Sequence, residues 1–215
     1  DIRTPINAII GFSGLLEKNL QNEEKSKEYL KKIQSSSALM MTIINQVLEM
    51  ARIESGTATL RLKAEDLSAI FHDVSSVFES DIRKKNLQYL IDTDICHKYA
   101  ICDKTKLQEI YLNIVSNAVK YTPNGKSIHV TIKEVASDDK MAQYCFICED
   151  TGIGMSEEYL PHIFEEFSRE HTSTENKVVG TGLGLPIVKS LIELMGGNIK
   201  AESSQEVGTK FTVTL

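Results

Sequence analysis

From residue 2 to residue 51 apolar side chains recur at alternating spacings of four and three, and beyond residue 57 that rhythm is gone. One series runs Ile2, Ile6, Ile9, Leu16, Leu20 and a second Ile33, Met40, Ile44, Val47, Ala51, with Ser13 and Ser37 each filling one position. Such a repeat winds a narrow apolar stripe along a helix, so the segment must form helices that pack lengthwise. Residues 19–23 supply a turn between the two series, which predicts an antiparallel helical hairpin. Two helices alone leave part of each stripe uncovered. A second copy, completing a dimeric four-helix bundle, would bury it and is the expectation; packing along the rest of the same chain is the alternative. The pattern stops at Ser55-Gly56, where glycine suits a helix C-cap.

After residue 57 helical and extended periods alternate. Asp66 can cap a helix whose apolar face is Leu67, Ile70, Phe71, Val74, Val77 and Phe78. Residues 87–91, 127–135 and 141–150 read as strands, 103–121 and 183–195 as helices, and a strand pair closes the chain. Helices followed by a run of strands predict an α+β fold, with helices on one face of a mixed sheet. The expected domains are therefore 1–56 and 57–215. Charge divides at the same place: residues 1–56 carry seven basic and seven acidic side chains, so the net charge of -6 belongs entirely to the remainder.

An acidic chain lacks the basic excess that would neutralise a nucleic-acid backbone, so no nucleic-acid partner is expected. There is no apolar run of about 18 residues and no signal-peptide pattern, which predicts a cytoplasmic segment without membrane contact. Cys145 and Cys148 form a C-x-x-C, but residues three apart in a strand point to opposite faces. Reduced structural cysteines are expected there, not a zinc or redox site. Residues 168–177 are polar and aperiodic, as in a mobile loop.

The helix expected at 103–121 carries two distinct faces. Leu107, Ile110, Ile114, Ala118 and Tyr121 form a core face, while Glu109, Asn113, Asn117 and Lys120 fall opposite, within an arc of roughly 80°. By itself that arc reads as solvated. Two Asn one turn apart with a Lys beside them also offer amide oxygens to a hard cation and an ammonium to phosphate. The strand at 141–150 puts Tyr144, Phe146, Cys148 and Asp150 on one side, so Asp150 leaves an apolar face directly before Thr151-Gly152-Ile153-Gly154. A carboxylate placed there can accept from an exocyclic amine, and the glycines let backbone approach a flat ring. An ordinary Asp-Gly turn is one alternative. The Asp-Thr-Gly of aspartic proteases is another, but it needs a second carboxylate close by, and with one such triplet a symmetric dimer would have to supply it.

Gly180-Thr181-Gly182-Leu183-Gly184 opens the last long helix, exposing backbone N–H groups and the positive end of its dipole to an anion. It has neither the preceding strand of a Rossmann unit nor the Gly-Lys-Ser/Thr ending of a Walker loop. Three such motifs in this order indicate a nucleotide site.

The order Asn113-x-x-x-Asn117-x-x-Lys120-Tyr121, Asp150-x-Gly152-x-Gly154, Phe164-x-x-Phe167 and Gly180-x-Gly182-x-Gly184 resembles the N, G1, F and G2 boxes of the sensor histidine kinases. These belong to the ATPase superfamily shared with gyrase, Hsp90 and MutL. Asp1-Ile2-Arg3-Thr4-Pro5-Ile6-Asn7 resembles the phosphoacceptor motif His-Glu/Asp-x-Arg-Thr-Pro of the same kinases. With Gly208-Thr209-Lys210-Phe211 and the stretch between Phe167 and Gly180, the resemblance covers essentially the whole chain. It implies a two-layer α/β sandwich of that superfamily's type after the hairpin, with ATP and Mg²⁺ as cofactors.

On this resemblance Asn117, with Asn113 nearby, would hold Mg²⁺, Lys120 would add positive charge and Tyr121 would pack near the nucleotide. Asp150 would read the adenine amine, with Gly152 and Gly154 shaping the pocket. Gly180, Gly182 and Gly184 would let a lid close over the triphosphate, and Arg169 would meet the γ-phosphate. Phe164, Phe167, Thr181, Leu183 and Thr209 complete the implied nucleotide set. The acceptor histidine of the motif would fall just before Asp1, so the chain is expected to be a fragment; His72, His97, His129, His162 and His171 lie outside the hairpin, and none fits the position. Asp1 would serve that histidine as general base, and Thr4 matches the position that helps relatives position water for dephosphorylating their partner. Locally, Thr4 also fits a helix N-cap with Pro5 at the first position, and a helix continuing upstream would be bent by Pro5. The implied reaction is autophosphorylation and transfer to the Asp of a response-regulator receiver docked near the N-terminal half of the hairpin. A chiefly phosphatase role and a non-catalytic ATP-binding or docking module are the alternatives.

Overall fold

Two asparagines set the turn of the first segment. Asn19 closes α1 (Arg3–Lys18), its Nδ2 donating to the Leu15 carbonyl at 2.8 Å, and Asn22 opens α2 (Glu23–Glu54), its side chain accepting the Lys25 N–H at 3.0 Å. The Ser26 hydroxyl ties the two ends by donating to the Asn19 carbonyl at 2.9 Å. In this computed structural model residues 2–137, 141–170 and 180–215 are described, and the chain divides into two units, Asp1–Gly56 and Thr57–Leu215.

The hairpin helices have 16 and 32 residues, so α2 runs well past α1. Phe12 stacks on Tyr29 with ring centroids 6.1 Å apart, and the Lys32 ammonium lies 5.0 Å from the Phe12 ring. Ile6, Ile9, Leu16, Ile33, Met40 and Ile44 of the stripes are half-buried, whereas Ile2, Leu20 and Val47 are exposed. The cap expected at Thr4 does not form. Ile2 already holds helical dihedrals (φ −63°, ψ −32°), so Thr4 and Pro5 lie within the helix and Thr4 does not cap it.

The second unit contains β1 (Lys63–Asp66), α3 (Leu67–Val77), α4 (Glu79–Lys84), β2 (Gln88–Asp94), β3 (Tyr99–Cys102), α5 (Lys104–Tyr121), β4 (Ser127–Ser137), β5 (Ala142–Asp150), α6 (Gly184–Leu194), β6 (Asn198–Ser204) and β7 (Gly208–Thr214). Asp66 and Asp103 start α3 and α5 by accepting the N–H groups of Ala69 at 3.2 Å and Lys106 at 3.1 Å. The main sheet has the order β2-β4-β5-β7-β6, parallel between β2 and β4 and antiparallel elsewhere. Helices α3, α5 and α6 cover the face bearing Ile128, Val130, Ile132, Phe146, Cys148, Phe211 and Val213, all buried. Phe71, Tyr111 and Phe146 join α3, α5 and β5 through ring centroids 4.8 and 4.3 Å apart.

Two features depart from the sequence reading. Val77 is 62% exposed, because α3 stops at Phe78 and the chain turns into α4 before Val77 can reach the core. A separate two-stranded sheet pairs β1 with β3, joining a short charged run to residues far along the chain. All four cysteines are free, Cys102, Cys145 and Cys148 buried and Cys96 exposed. No helix among the described residues is long and apolar enough to cross a membrane.

Candidate functional site

Asp150 ends β5 only 7% exposed, on the face covered by helices. Its Oδ1 accepts the Gly152 N–H at 2.8 Å. Burial pushes the carboxyl up to about 6, against the opposing pull of hydrogen bonds from the Gly152 and Thr209 N–H groups and of the neighbouring Thr122 hydroxyl. Thr122 is fully buried, and its Oγ1 completes no hydrogen bond among the described residues. A carboxylate costly to ionise and a fully buried hydroxyl thus share one floor. Such a floor suits a ligand with hydrogen-bonding edges.

Around it the chain makes room by omitting side chains. A Cβ on Gly152 would stand 2.5 Å from the Asp150 Oδ1 and 2.8 Å from the Tyr121 carbonyl oxygen. Gly154 turns with φ +65°, a conformation L side chains resist. Thr209, buried opposite Asp150 in the β5–β7 register, has its hydroxyl 2.8 Å from that of Ser203.

The polar arc of α5 faces the start of α6. Asn113 Nδ2 donates to the Glu109 carbonyl at 2.9 Å, and its Oδ1 lies 2.8 Å from where a Cβ on Gly184 would be. Lys120 Nζ lies 2.7 Å from the corresponding point on Gly180 and 5.0 Å from the Tyr121 ring centroid. Burial and the nearby Arg169 charge lower the Lys120 ammonium to about 8, so Arg169 and Lys120 share one neighbourhood. Asn117 is half-buried one turn from Asn113 on the same arc. The Phe167 N–H donates to the Gly182 carbonyl at 3.0 Å, with Phe167 at φ +59°, while Leu183, 1% exposed, anchors α6 and donates its N–H to Thr181 Oγ1 at 3.2 Å. Phe164 is half-buried, 5.7 Å from the Lys189 ammonium.

The structure therefore gathers Asn113, Lys120, Tyr121, Asp150, Gly152, Phe167, Gly180, Gly182 and Gly184 into one connected region. Thr4 is not among them; it is exposed on α1 in the other unit. Asp1, His171 and most of the expected loop, residues 171–179, lie outside the described residues. Thr122 and Gly208 were not predicted. Gly208 must lack a side chain because a Cβ there would collide with the Asp150 carbonyl oxygen. Thr122 directly follows the Lys120-Tyr121 pair, and only that adjacency marks it in sequence.

A two-layer sandwich with an Asp-x-Gly-x-Gly floor and a glycine-opened helix facing an Asn-rich one defines a class of ATPase. Residues 102–215 match the histidine kinase-, DNA gyrase B-, and HSP90-like ATPase family, and residues 1–56 match the His kinase A phospho-acceptor domain. The chain belongs to the histidine kinases. It is 30% identical over its whole length to the autoinducer 2 sensor kinase/phosphatase LuxQ of Vibrio parahaemolyticus, covering 25% of that protein. It is 32% identical to the circadian input-output histidine kinase CikA of Synechococcus elongatus over 99% of its length, covering 28% of CikA. The chain thus spans about a quarter of the length of these curated relatives. Among solved structures, full-length ShkA in complex with AMPPNP aligns with a TM-score of 0.75 and 27% identity over 99% of this chain and 43% of ShkA. Histidine kinase ThkA in complex with response regulator protein TrrA aligns with a TM-score of 0.75 and 26% identity over 100% of this chain and 58% of that one.

Proposed function

We propose that the chain is the catalytic core of a sensor histidine kinase, in which residues 57–215 bind ATP with Mg²⁺ and residues 1–56 form the dimerisation and phosphotransfer hairpin. The observation that carries this reading is the joint placement of the Asp150–Thr122 floor and the Asn113–Lys120 arc against the glycines that open α6. Asp150 accepts the exocyclic amine of adenine, and the buried Thr122 hydroxyl offers a second polar contact beside it. Lys120, Arg169 and the α6 N-terminus give the phosphate end a positive field. The Asn117 amide oxygen, with Asn113 one turn away on the same arc of α5, is a fitting ligand for Mg²⁺ shared with phosphates. When bound, the Mg²⁺ nucleotide supplies the phosphoryl group and neutralises its charge.

The acceptor is a histidine directly before Asp1, with Asp1 as its general base, and the phosphoryl group then passes to the Asp of a response-regulator receiver. Support for that partner is the ThkA–TrrA complex among similar structures. Support for a homodimer is the run of exposed apolar side chains along the hairpin, Ile10, Leu20, Met41 and Leu48 among them. A second reading, receiver dephosphorylation, draws on the exposure of Thr4 and on the kinase/phosphatase description of LuxQ.

Asp150→Asn should reduce ATP affinity by roughly a hundredfold, since the amide can accept a backbone N–H but presents a donor toward the adenine amine; calorimetry that finds unchanged affinity removes the nucleotide assignment. A chain extended upstream with His at the acceptor position should take up label from γ-phosphate ATP as acid-labile, base-stable phosphate. No such label would end the kinase reading.

A further inference from the structure

Lys85 belongs to none of the site's motifs. It follows α4 in the run Arg83-Lys84-Lys85, where a lysine would ordinarily be solvated. Its ammonium instead crosses to the C-terminus of α5 and donates to the carbonyl oxygens of Val119, Lys120 and Thr122 at 2.8, 2.9 and 3.0 Å. An ammonium has three N–H donors, so all are committed. The remaining carbonyls of that turn are also taken. Ala118 accepts the Thr122 N–H at 3.0 Å, and Tyr121 accepts the Ile153 N–H, from the Asp150-x-Gly152-x-Gly154 loop, at 3.2 Å.

A helix ordinarily leaves its last carbonyls to water or to a cap. Here Lys85 grips them from one side and the adenine-floor loop from the other. The positive charge also complements the negative end of the helix dipole. Lys85 further holds the turn that follows, because its own carbonyl accepts the Gly125 N–H at 2.9 Å. Burial keeps the amine below the usual lysine range, as befits an enclosed cation.

We infer that Lys85 is a positioning residue for the nucleotide site: by fixing the last turn of α5 it sets Tyr121 and Thr122 against Asp150 and so tunes selection of the adenine edge. This rests on the nucleotide reading given above. It acts through the helix end, so its removal should fall on the base, not on the phosphates.

The test uses the whole chain with Lys85→Met and Lys85→Arg, titrated with ADP and GDP, alongside thermal melts and amide hydrogen exchange of the ligand-free protein. Lys85→Met should weaken ADP by about tenfold, the scale of losing charge-assisted hydrogen bonds, and leave GDP almost unchanged, so that the preference for adenine falls. Lys85→Arg, which keeps donors and charge, should restore most of that preference. The Ile153 amide should exchange about tenfold faster in Lys85→Met. Unchanged ADP affinity and preference in a folded Lys85→Met overturns the inference, as does an equal loss of both nucleotides with a lowered melting temperature. If Lys85→Met does not fold, Lys85→Gln is judged by the same ratio. Wild-type chain that binds neither nucleotide overturns the nucleotide reading itself, and the exchange rate at Ile153 then reports separately on the grip of Lys85 on the helix.

Discussion

The two units handle apolar surface in opposite ways. In the hairpin the buried positions among described residues are Pro5 and Ile43, and Ile10, Leu20, Leu30, Met41 and Leu48 are exposed. In the second unit Ile70, Ile110, Ile114, Ile128, Leu191 and Ile192 are wholly enclosed. One unit completes its core from its own residues. The other has its stripes in register but lacks the surface to close on them. On the proposed dimer such a hairpin would gain most of its stability from association, and a reactive group carried on it would act in a setting built by more than one chain.

The sharpest way to break this comparison is to separate the units. Residues 57–215 produced alone should unfold at a midpoint independent of concentration, whereas the melting temperature of residues 1–56 should rise with concentration, as circular dichroism across a thousandfold dilution would reveal. Next in size is truncation of the enclosed core: Ile114→Ala should cost about 2–5 kcal/mol in urea unfolding of the second unit. Ile10→Ala in the hairpin should act mainly on the dimer dissociation constant.

A smaller effect concerns a costly polar group in the core of the second unit, Asp150. The Asp150 carboxyl titrates near 6 in the folded chain, above the ordinary value of about 3.9 in the unfolded one. The folded state therefore holds this proton more tightly, and stability from this group falls as pH rises from about 4 to 6 and stays low above that. Asp150→Asn should accordingly raise stability at pH 8 by about 1–3 kcal/mol, with little gain at pH 4, while abolishing tight nucleotide binding. Urea melts at the two pH values check the sign. The smallest effect is on Lys120, whose ammonium is lowered to about 8: ATP affinity should weaken a few-fold as pH passes 8, and Lys120→Met should remove that pH limb.

What sequence could reveal depended on how local the cause was. The helical period of α1 and α2, the cap at Asp66 and the phase of β5 that turns Asp150 inward are all written in neighbouring residues, and each appears as expected, whereas Asp103, read as the first residue of its helix, caps it instead. The meeting of Lys120 with Gly180 and of Asn113 with Gly184 depends on how α5 packs on α6, and motif order could suggest it without giving the distances. The β1–β3 ribbon stayed hidden because Lys63–Asp66 has no apolar alternation. Lys85 stayed hidden because a lysine beside Arg83 and Lys84 looks solvated until the end of α5 is placed against it. The Thr4 cap failed for a local reason the sequence left ambiguous, since a Thr-Pro pair fits both the entry of a helix and its first turn.

The position of β7 has a consequence for the order of assembly. It pairs with β5 on one side and with β6, just before it in the chain, on the other, so β6 joins the sheet only through residues 208–214. The helical hairpin relies on contacts between neighbouring helices and can form on the timescale of microseconds, whereas the pairing of β7 with β5, far earlier in the chain, forms later. Thr209 and Gly208 arrive with that strand, directly beside Asp150. During synthesis, then, the exposed apolar stripe of the hairpin exists before the floor around Asp150 does, and on the proposed function pairing of chains can precede any ability to draw on ATP.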